Sequence, residues 1–261
     1  MEGRLRGRVA VVTGAGSGIG RATAMRLGAE GAVVVVNDID PSTAEATASD
    51  ITRAGGTSTA HSGDVTDSAY VDSLVATTAR AYGRLDVMHN NAAYGRPGTV
   101  AGTGDALLEE MLRVNVMSVQ NGIRAALGVM VGQGGGSIVN TASTAAFAHA
   151  ADRAAYGAAK SAVVALTRSA AVENARHGVR VNAVCPGPIE TPAFVRFAPD
   201  IDFYRAQLPM RRLGRPEEIA AAVAFLASDD ASYVSGVALL VDGAMTARLA
   251  APALRPEEVA G

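Results

Sequence analysis

Short β-branched apolar runs alternate with longer segments of helical spacing along almost the whole sequence. The runs cover residues 8–13, 32–37, 85–89, 136–141, 179–184 and 237–241, with a weaker one at 57–62. The helical segments cover 18–29, 41–54, 67–82, 105–131, 154–177 and 216–227. Strands that are apolar throughout are buried on both faces, which marks a parallel sheet. Parallel neighbours need crossover helices, so the alternation predicts a doubly wound α/β domain with helices on both faces. At 261 residues the chain suits one such unit, expected over 1–247. Asp40-Pro41 and Arg215-Pro216-Glu217-Glu218 read as helix starts, and Gly31, Gly83 and Gly178 as stops. Two stretches break the pattern: a proline-bearing loop at 186–214, expected to line a binding site, and a tail at 248–261.

Composition removes several function classes. A net charge of −2 speaks against a nucleic-acid partner. The longest apolar stretches, such as 32–36 and 219–227, fall short of the ~20 residues that span a bilayer, and no membrane partner is expected. Residues 1–8 carry charges and no apolar signal-peptide core. Cys185 is the only cysteine, so no disulfide framework or thiolate metal site is expected, and the cytoplasm is the expected compartment. His61, His89, His149 and His177 have no metal-ligand spacing, so no metal is expected.

The first run ends in Thr13-Gly14-Ala15-Gly16-Ser17-Gly18-Ile19-Gly20 and opens a helix. Glycines in such a turn let a pyrophosphate approach the backbone and sit on the helix N-terminus. The spacing is G-x-x-x-G-x-G through Gly14, Gly18 and Gly20; Ile19 occupies the third glycine place of the stricter G-x-G-x-x-G pattern. Some 20 residues on, Asp38 closes the second run, where a carboxylate accepts hydrogen bonds from ribose hydroxyls and repels a 2′-phosphate. With Ser17 and no arginine inside the turn, the expected cofactor is NAD.

Of the 23 Lys and Arg residues, all but Lys160 are arginine. That lysine stands four residues after Tyr156, so the two share a helix face. Chance would place it four after one of the 6 tyrosines about 2% of the time. A phenol with a pKa of about 10 shuttles protons poorly near neutrality, and a nearby cation is expected to lower it. Ser143, just beyond the run at 136–141, can donate to a substrate oxygen, as can Thr141 and Thr144.

Together these residues resemble the short-chain dehydrogenase/reductase (SDR) family, from about residue 8 to 246. The resemblance rests on the 13–20 turn, Gly63-Asp64-Val65, Asn90-Asn91-Ala92, Val114-Asn115-Val116, Ser143, Tyr156/Lys160, Pro186-Gly187 with Thr191, and Val241-Asp242-Gly243. It implies a Rossmann sheet of about seven strands and a homotetramer. It also implies that Tyr156 is the general acid/base, that Lys160 binds the nicotinamide ribose, and that Ser143 polarises the substrate. Asn115 would hold a water in a proton relay. The cofactor would lie on Gly14, Ser17, Gly18, Ile19, Gly20, Asp38, Asp64, Val65, Asn91, Tyr156, Lys160, Pro186, Gly187, Ile189 and Thr191. Ala93 stands where the family has glycine, which would tighten the backbone beside the pocket.

His149, between Ser143 and Tyr156, is a candidate substrate contact, and Cys185 reads as a buried small apolar residue. Phe194, Val195, Phe197, Phe203, Tyr204 and Leu208 make the 186–214 loop aromatic, and Phe194 a second substrate contact. A hydrophobic or cyclic secondary alcohol and its ketone are the expected small-molecule substrates. The alternatives are an NADPH-dependent 3-oxoacyl-thioester reductase and a nucleotide-sensing protein without catalysis.

Overall fold

The computed structural model describes residues 3–198 and 200–248. Its strands are β1 (Val9–Thr13), β2 (Val33–Asp38), β3 (Thr57–Ser62), β4 (Val87–Asn90), β5 (Gly136–Thr141), β6 (Val179–Pro186) and β7 (Ala238–Val241). They form one parallel sheet in the order β3-β2-β1-β4-β5-β6-β7. The helices are α1 (Gly18–Ala29), α2 (Pro41–Arg53), α3 (Ser68–Tyr82), α4 (Asp105–Leu112), α5 (Ser118–Met130), α6 (Ala154–Asn174), α7 (Pro192–Phe197), α8 (Ile201–Gln207) and α9 (Pro216–Ala227). Among the described residues, no helix is long and apolar enough to cross a membrane, and no cluster of three His, Cys, Asp or Glu could hold a metal.

Side chains alternate across the sheet, so each central strand feeds two cores. Val11 and Val35 pack with Leu74 of α3, Ile123 of α5 and Val163 of α6 on one face. Ala10, Val12 and Val34 pack with Leu27 of α1, Ile51 of α2 and Ala224 of α9 on the other. Each valine buried from water contributes roughly 1.5–3 kcal/mol, which fixes register because a slip of one residue would exchange the faces. The weakest run in the sequence, β3, is the half-exposed edge strand. Strand order reverses between β1 and β4, successive strands being added to one side from β1 to β3 and to the other from β4 to β7, which opens a crevice at the carboxyl ends of β1 and β4.

The local signals at helix ends are realised. Asp40 accepts from the Ser42 amide at 2.9 Å, Glu218 accepts from the Arg215 amide at 2.7 Å, and Gly83 ends α3 with φ 76°. Two expectations need correction. The segment 105–131 is not one helix: a π-helical turn, Arg113–Met117, separates α4 from α5 and contains Asn115. The 186–214 segment is not simply a loop, since α7 and α8 lie within it, capped by Thr191 and Asp200. Of the tail expected at 248–261, residues 249–261 lie outside the described residues; Arg248 donates to the Gln207 carbonyl at 3.1 Å.

Candidate active site

The crevice begins at the turn after β1. Gly14 and Gly18 adopt left-handed backbone, with φ 60° and 51°. A Cβ on Gly14 would meet the Ala92 backbone at 2.8 Å, and one on Gly20 would lie 2.0 Å from the Gly14 carbonyl. Ser17 is extended and its side chain makes no capping bond, which leaves the first N–H groups of α1 for another acceptor. A cradle that any side chain would fill, facing an uncapped helix N-terminus, fits the pyrophosphate of a dinucleotide. Asp38 braces the turn: its carboxylate accepts from the Gly16 amide at 2.8 Å and from the Asp40 amide at 3.1 Å. Thr191 closes the far side, its methyl 3.2 Å from where a Cβ on Gly18 would stand. The 186–214 segment therefore folds back over the turn.

Asn91, beyond β4, ties this turn to the middle of the sheet. Its amide nitrogen donates to the Thr13 and Gly14 carbonyls at 3.1 and 3.2 Å, and its oxygen accepts from the Thr141 hydroxyl at 3.2 Å. Asp64 accepts from the Thr66 amide at 2.8 Å and lies 3.7 Å from Arg113, while Val65 is buried beside it. Gly187 packs against Asp242, where a Cβ would come within 2.9 Å. Ile189 is buried and bridges to Gly214.

Tyr156, Lys160 and Ser143 meet where β5 and α6 converge. Lys160 is only 1% exposed; its ammonium donates to the Thr141 carbonyl at 2.8 Å and stands 5.7 Å from the Tyr156 ring centre. Burial pushes its pKa down from 10.5 to about 8. The Tyr156 phenol moves upward, because burial outweighs the hydrogen bond from Ser143 and the charge of Arg153. The expectation that Lys160 lowers it is thus reversed in the protein on its own: desolvation of a phenolate costs more here than the neighbouring charges return. Ser143 starts a short 3₁₀ turn and accepts from the Ala145 amide at 3.1 Å.

Asn115 is fully buried and clamps the loop after β4. Its nitrogen donates to the Tyr94 and Met111 carbonyls at 2.8 and 3.0 Å, while its oxygen accepts from the Tyr94 amide at 3.2 Å. That loop passes Tyr156, since a Cβ on Gly95 would touch the ring at 3.6 Å. Ala93 is exposed and not among the residues with positive φ, so alanine sits there without backbone strain. Cys185 is buried and its thiol is pushed up to about 11 by desolvation, as suits a packing residue. His149 is exposed, its Nδ1 3.2 Å from where a Cβ on Gly157 would be. Phe194 packs edge-on against Tyr204 with centroids 5.3 Å apart, and Tyr204 against Phe203 at 6.3 Å.

Two site features escape sequence reasoning. Tyr94 and Met111 anchor Asn115 through their backbones, which no residue type announces. His89 lies fully buried 3.0 Å from the Thr141 hydroxyl; the available signal is a pair of polar residues, His89 and Asn90, at the end of a central strand.

A glycine-rich turn on a doubly wound sheet, with Ser143, Tyr156 and Lys160 at the converging ends of β5 and α6, defines a domain of the Rossmann type. The sequence matches, over residues 14–246, the family model described as enoyl-(acyl carrier protein) reductase. It is 38% identical over 244 residues to 2,5-dichloro-2,5-cyclohexadiene-1,4-diol dehydrogenase LinX of Sphingobium indicum, covering 93% of this chain and 98% of LinX. It is likewise 38% identical over 251 residues to cyclohexanol dehydrogenase of an Acinetobacter species, covering 95% and 98% of the two chains. Among solved structures, 7α-hydroxysteroid dehydrogenase complexed with NADH and 7-oxo glycochenodeoxycholic acid superposes with a TM-score of 0.88 at 34% identity, covering 93% of this chain and 95% of that one. The chain belongs to the short-chain dehydrogenase/reductase family.

Proposed function

We propose that this protein is an NAD(H)-dependent oxidoreductase that interconverts a hydrophobic or cyclic secondary alcohol and its ketone, with Tyr156 as general acid/base. One observation carries the reading. The chain's only lysine is buried beside Tyr156, with its ammonium held on the Thr141 carbonyl. A buried ammonium without a carboxylate partner among the described residues costs folding free energy, which makes it a functional-site candidate.

The turn Gly14–Gly20, with Ser17 and Ile19, holds the pyrophosphate; Asp38 takes the adenosine ribose, and Asp64 and Val65 the adenine. Asn91 lies along the cofactor, Lys160 binds the nicotinamide ribose, and Pro186, Gly187, Ile189 and Thr191 meet the carboxamide end. NAD, when bound, supplies the two-electron acceptor for the alcohol. Ser143 donates to the substrate oxygen, and Tyr156 takes the hydroxyl proton in oxidation or gives it in reduction. Asn115 holds the Tyr94 loop against this site and keeps acceptor capacity on its oxygen for a relay water. His149 and Phe194 contact the substrate from the rim.

The relatives named for a chlorinated cyclohexadienediol and for cyclohexanol support a cyclic substrate. The solved neighbour bound to NADH supports the cofactor class. The second reading is an NADPH-dependent 3-oxoacyl-thioester reductase: the matching family model, described as enoyl-(acyl carrier protein) reductase, supports an acyl-thioester substrate but names reduction of a different bond, and the placement of Asp38 beside the turn opposes NADPH. The catalytic domain is proposed to cover 1–247 and to assemble as a cytoplasmic homotetramer, for which the exposed Leu108, Leu112 and Met117 supply apolar surface. The test is absorbance at 340 nm with NAD or NADP and a panel of cyclic, aliphatic and thioester substrates. Turnover of a cyclic alcohol with NAD is expected. NADH binding without turnover of any substrate would favour a sensor, and preference for NADPH would overturn the reading of Asp38.

A further inference from the structure

His89 has no part in the chemistry above, yet it is 0% exposed, at the carboxyl end of β4 in the centre of the sheet. Its surroundings fix its protons one after another. The Asn91 amide nitrogen lies 3.1 and 3.2 Å from the Thr13 and Gly14 carbonyls, so the amide group has one allowed orientation, with its oxygen toward Thr141. That oxygen needs a donor, and the Thr141 hydroxyl supplies it at 3.2 Å. Having one hydrogen, the hydroxyl must accept from its other partner, His89 Nε2, at 3.0 Å. Nε2 therefore carries a hydrogen, and since no acceptor among the described residues stands at Nδ1 to receive the second N–H of an imidazolium, the ring is the neutral Nε2–H tautomer. Its Nδ1 is left as a bare acceptor, one of four buried side-chain polar atoms without a partner among the described residues. Burial, which drives the His89 pKa down to about 3, agrees with a neutral ring.

The chain runs from His89 through Thr141 and Asn91 into the backbone of the glycine turn. The carbonyl of the same Thr141 receives the Lys160 ammonium. An unpartnered buried Nδ1 is a cost that a valine or leucine in the same strand would avoid. We infer that His89 is a positioning residue: its Nε2–H orients the Thr141 hydroxyl, and through Asn91 sets the shape of the Gly14 turn on which the dinucleotide sits. The inference rests on the proposed function for the identity of the ligand.

Two measurements test it. In the unliganded protein at pH 7, the side-chain 15N resonances of His89, assigned by their loss in His89→Gln, are expected to report the Nε2–H tautomer; the Nδ1–H tautomer or an imidazolium would overturn the relay. NADH titrations followed by fluorescence then compare wild type with His89→Leu, His89→Gln, Thr141→Val and Thr141→Ser. His89→Leu and the near-isosteric Thr141→Val are expected to bind NADH about tenfold more weakly, the size of one lost hydrogen bond. In both, KM for NAD rises by a similar factor while kcat changes less. His89→Gln and Thr141→Ser, which restore a donor at the same place, recover most of the affinity. A residue that only fills the core would lower the melting temperature and leave KM unchanged. Affinities of His89→Leu and Thr141→Val within twofold of wild type would overturn the relay alone. Wild-type protein that binds neither NADH nor NADPH would instead overturn the function on which the relay rests.

Discussion

Replacing Lys160 by methionine keeps the length of the side chain and removes its charge. The ammonium is 1% exposed and its pKa falls from 10.5 to about 8 because of burial. At about 1.4 kcal/mol per pH unit, that fall makes the charged lysine cost roughly 3 kcal/mol of stability at pH 7. Methionine leaves the Thr141 carbonyl without the lysine, which returns about 1 kcal/mol of that. Lys160→Met should therefore stabilise the unliganded protein by about 2 kcal/mol at pH 7, raising Tm by roughly 4–8 °C. The pH dependence is the sharper signature. Below pH 8 the lysine is charged in both folded and unfolded chains, and the full penalty applies. Between pH 8 and 10.5 the folded protein has released its proton while the unfolded chain still holds it, so the penalty fades. Urea melts of both proteins from pH 7 to 10.5 should show the advantage of the variant shrinking and passing below zero near pH 10.5, where only the lost Thr141 hydrogen bond remains. The same variant should lose at least a hundredfold in turnover, as a site held against the interest of stability would. A Lys160→Met protein less stable than wild type at pH 7, or a difference that does not change with pH, would show that the buried ammonium carries no desolvation cost.

Three further outcomes follow from the turn and the loop beside it. Asp38→Ala combined with Ile39→Arg places a cation at an exposed position next to the lost carboxylate, and should shift kcat/KM from NAD toward NADP by at least tenfold, measured by steady-state kinetics. Gly20→Ala would put a methyl 2.0 Å from the Gly14 carbonyl; calorimetry should show roughly 1–3 kcal/mol lost from the fold and a tenfold or greater loss of NADH affinity by titration. Asn115→Ala leaves the part-buried Tyr94 and buried Met111 backbone groups unpaired, so urea melts should show a loss of about 2 kcal/mol, with kcat falling more than KM changes.

The sheet was legible because its strands are apolar on both faces and its helix ends carry ordinary capping signals at Asp40, Gly83 and Glu218. The break at Asn115 was not, since one extra residue in a π-helical turn leaves apolar spacing on either side intact. Six- and seven-residue helices such as α7 and α8 have too few turns to show a period amid proline and aromatics. Tyr156 and Lys160 stood out through spacing and rarity, but the direction of the phenol's shift depends on desolvation, a property of the packed protein. His89 became interpretable only once the orientation of Asn91 was known, because its role is set by which atoms across three strands already hold protons.

In the proposed mechanism one phenol moves the substrate proton while other residues hold the cofactor. Tyr156→Phe removes that oxygen and little else. Turnover of a cyclic alcohol by this variant, followed at 340 nm, should fall at least a thousandfold, with NADH affinity by fluorescence within about threefold of wild type. Turnover within tenfold of wild type would contradict that mechanism.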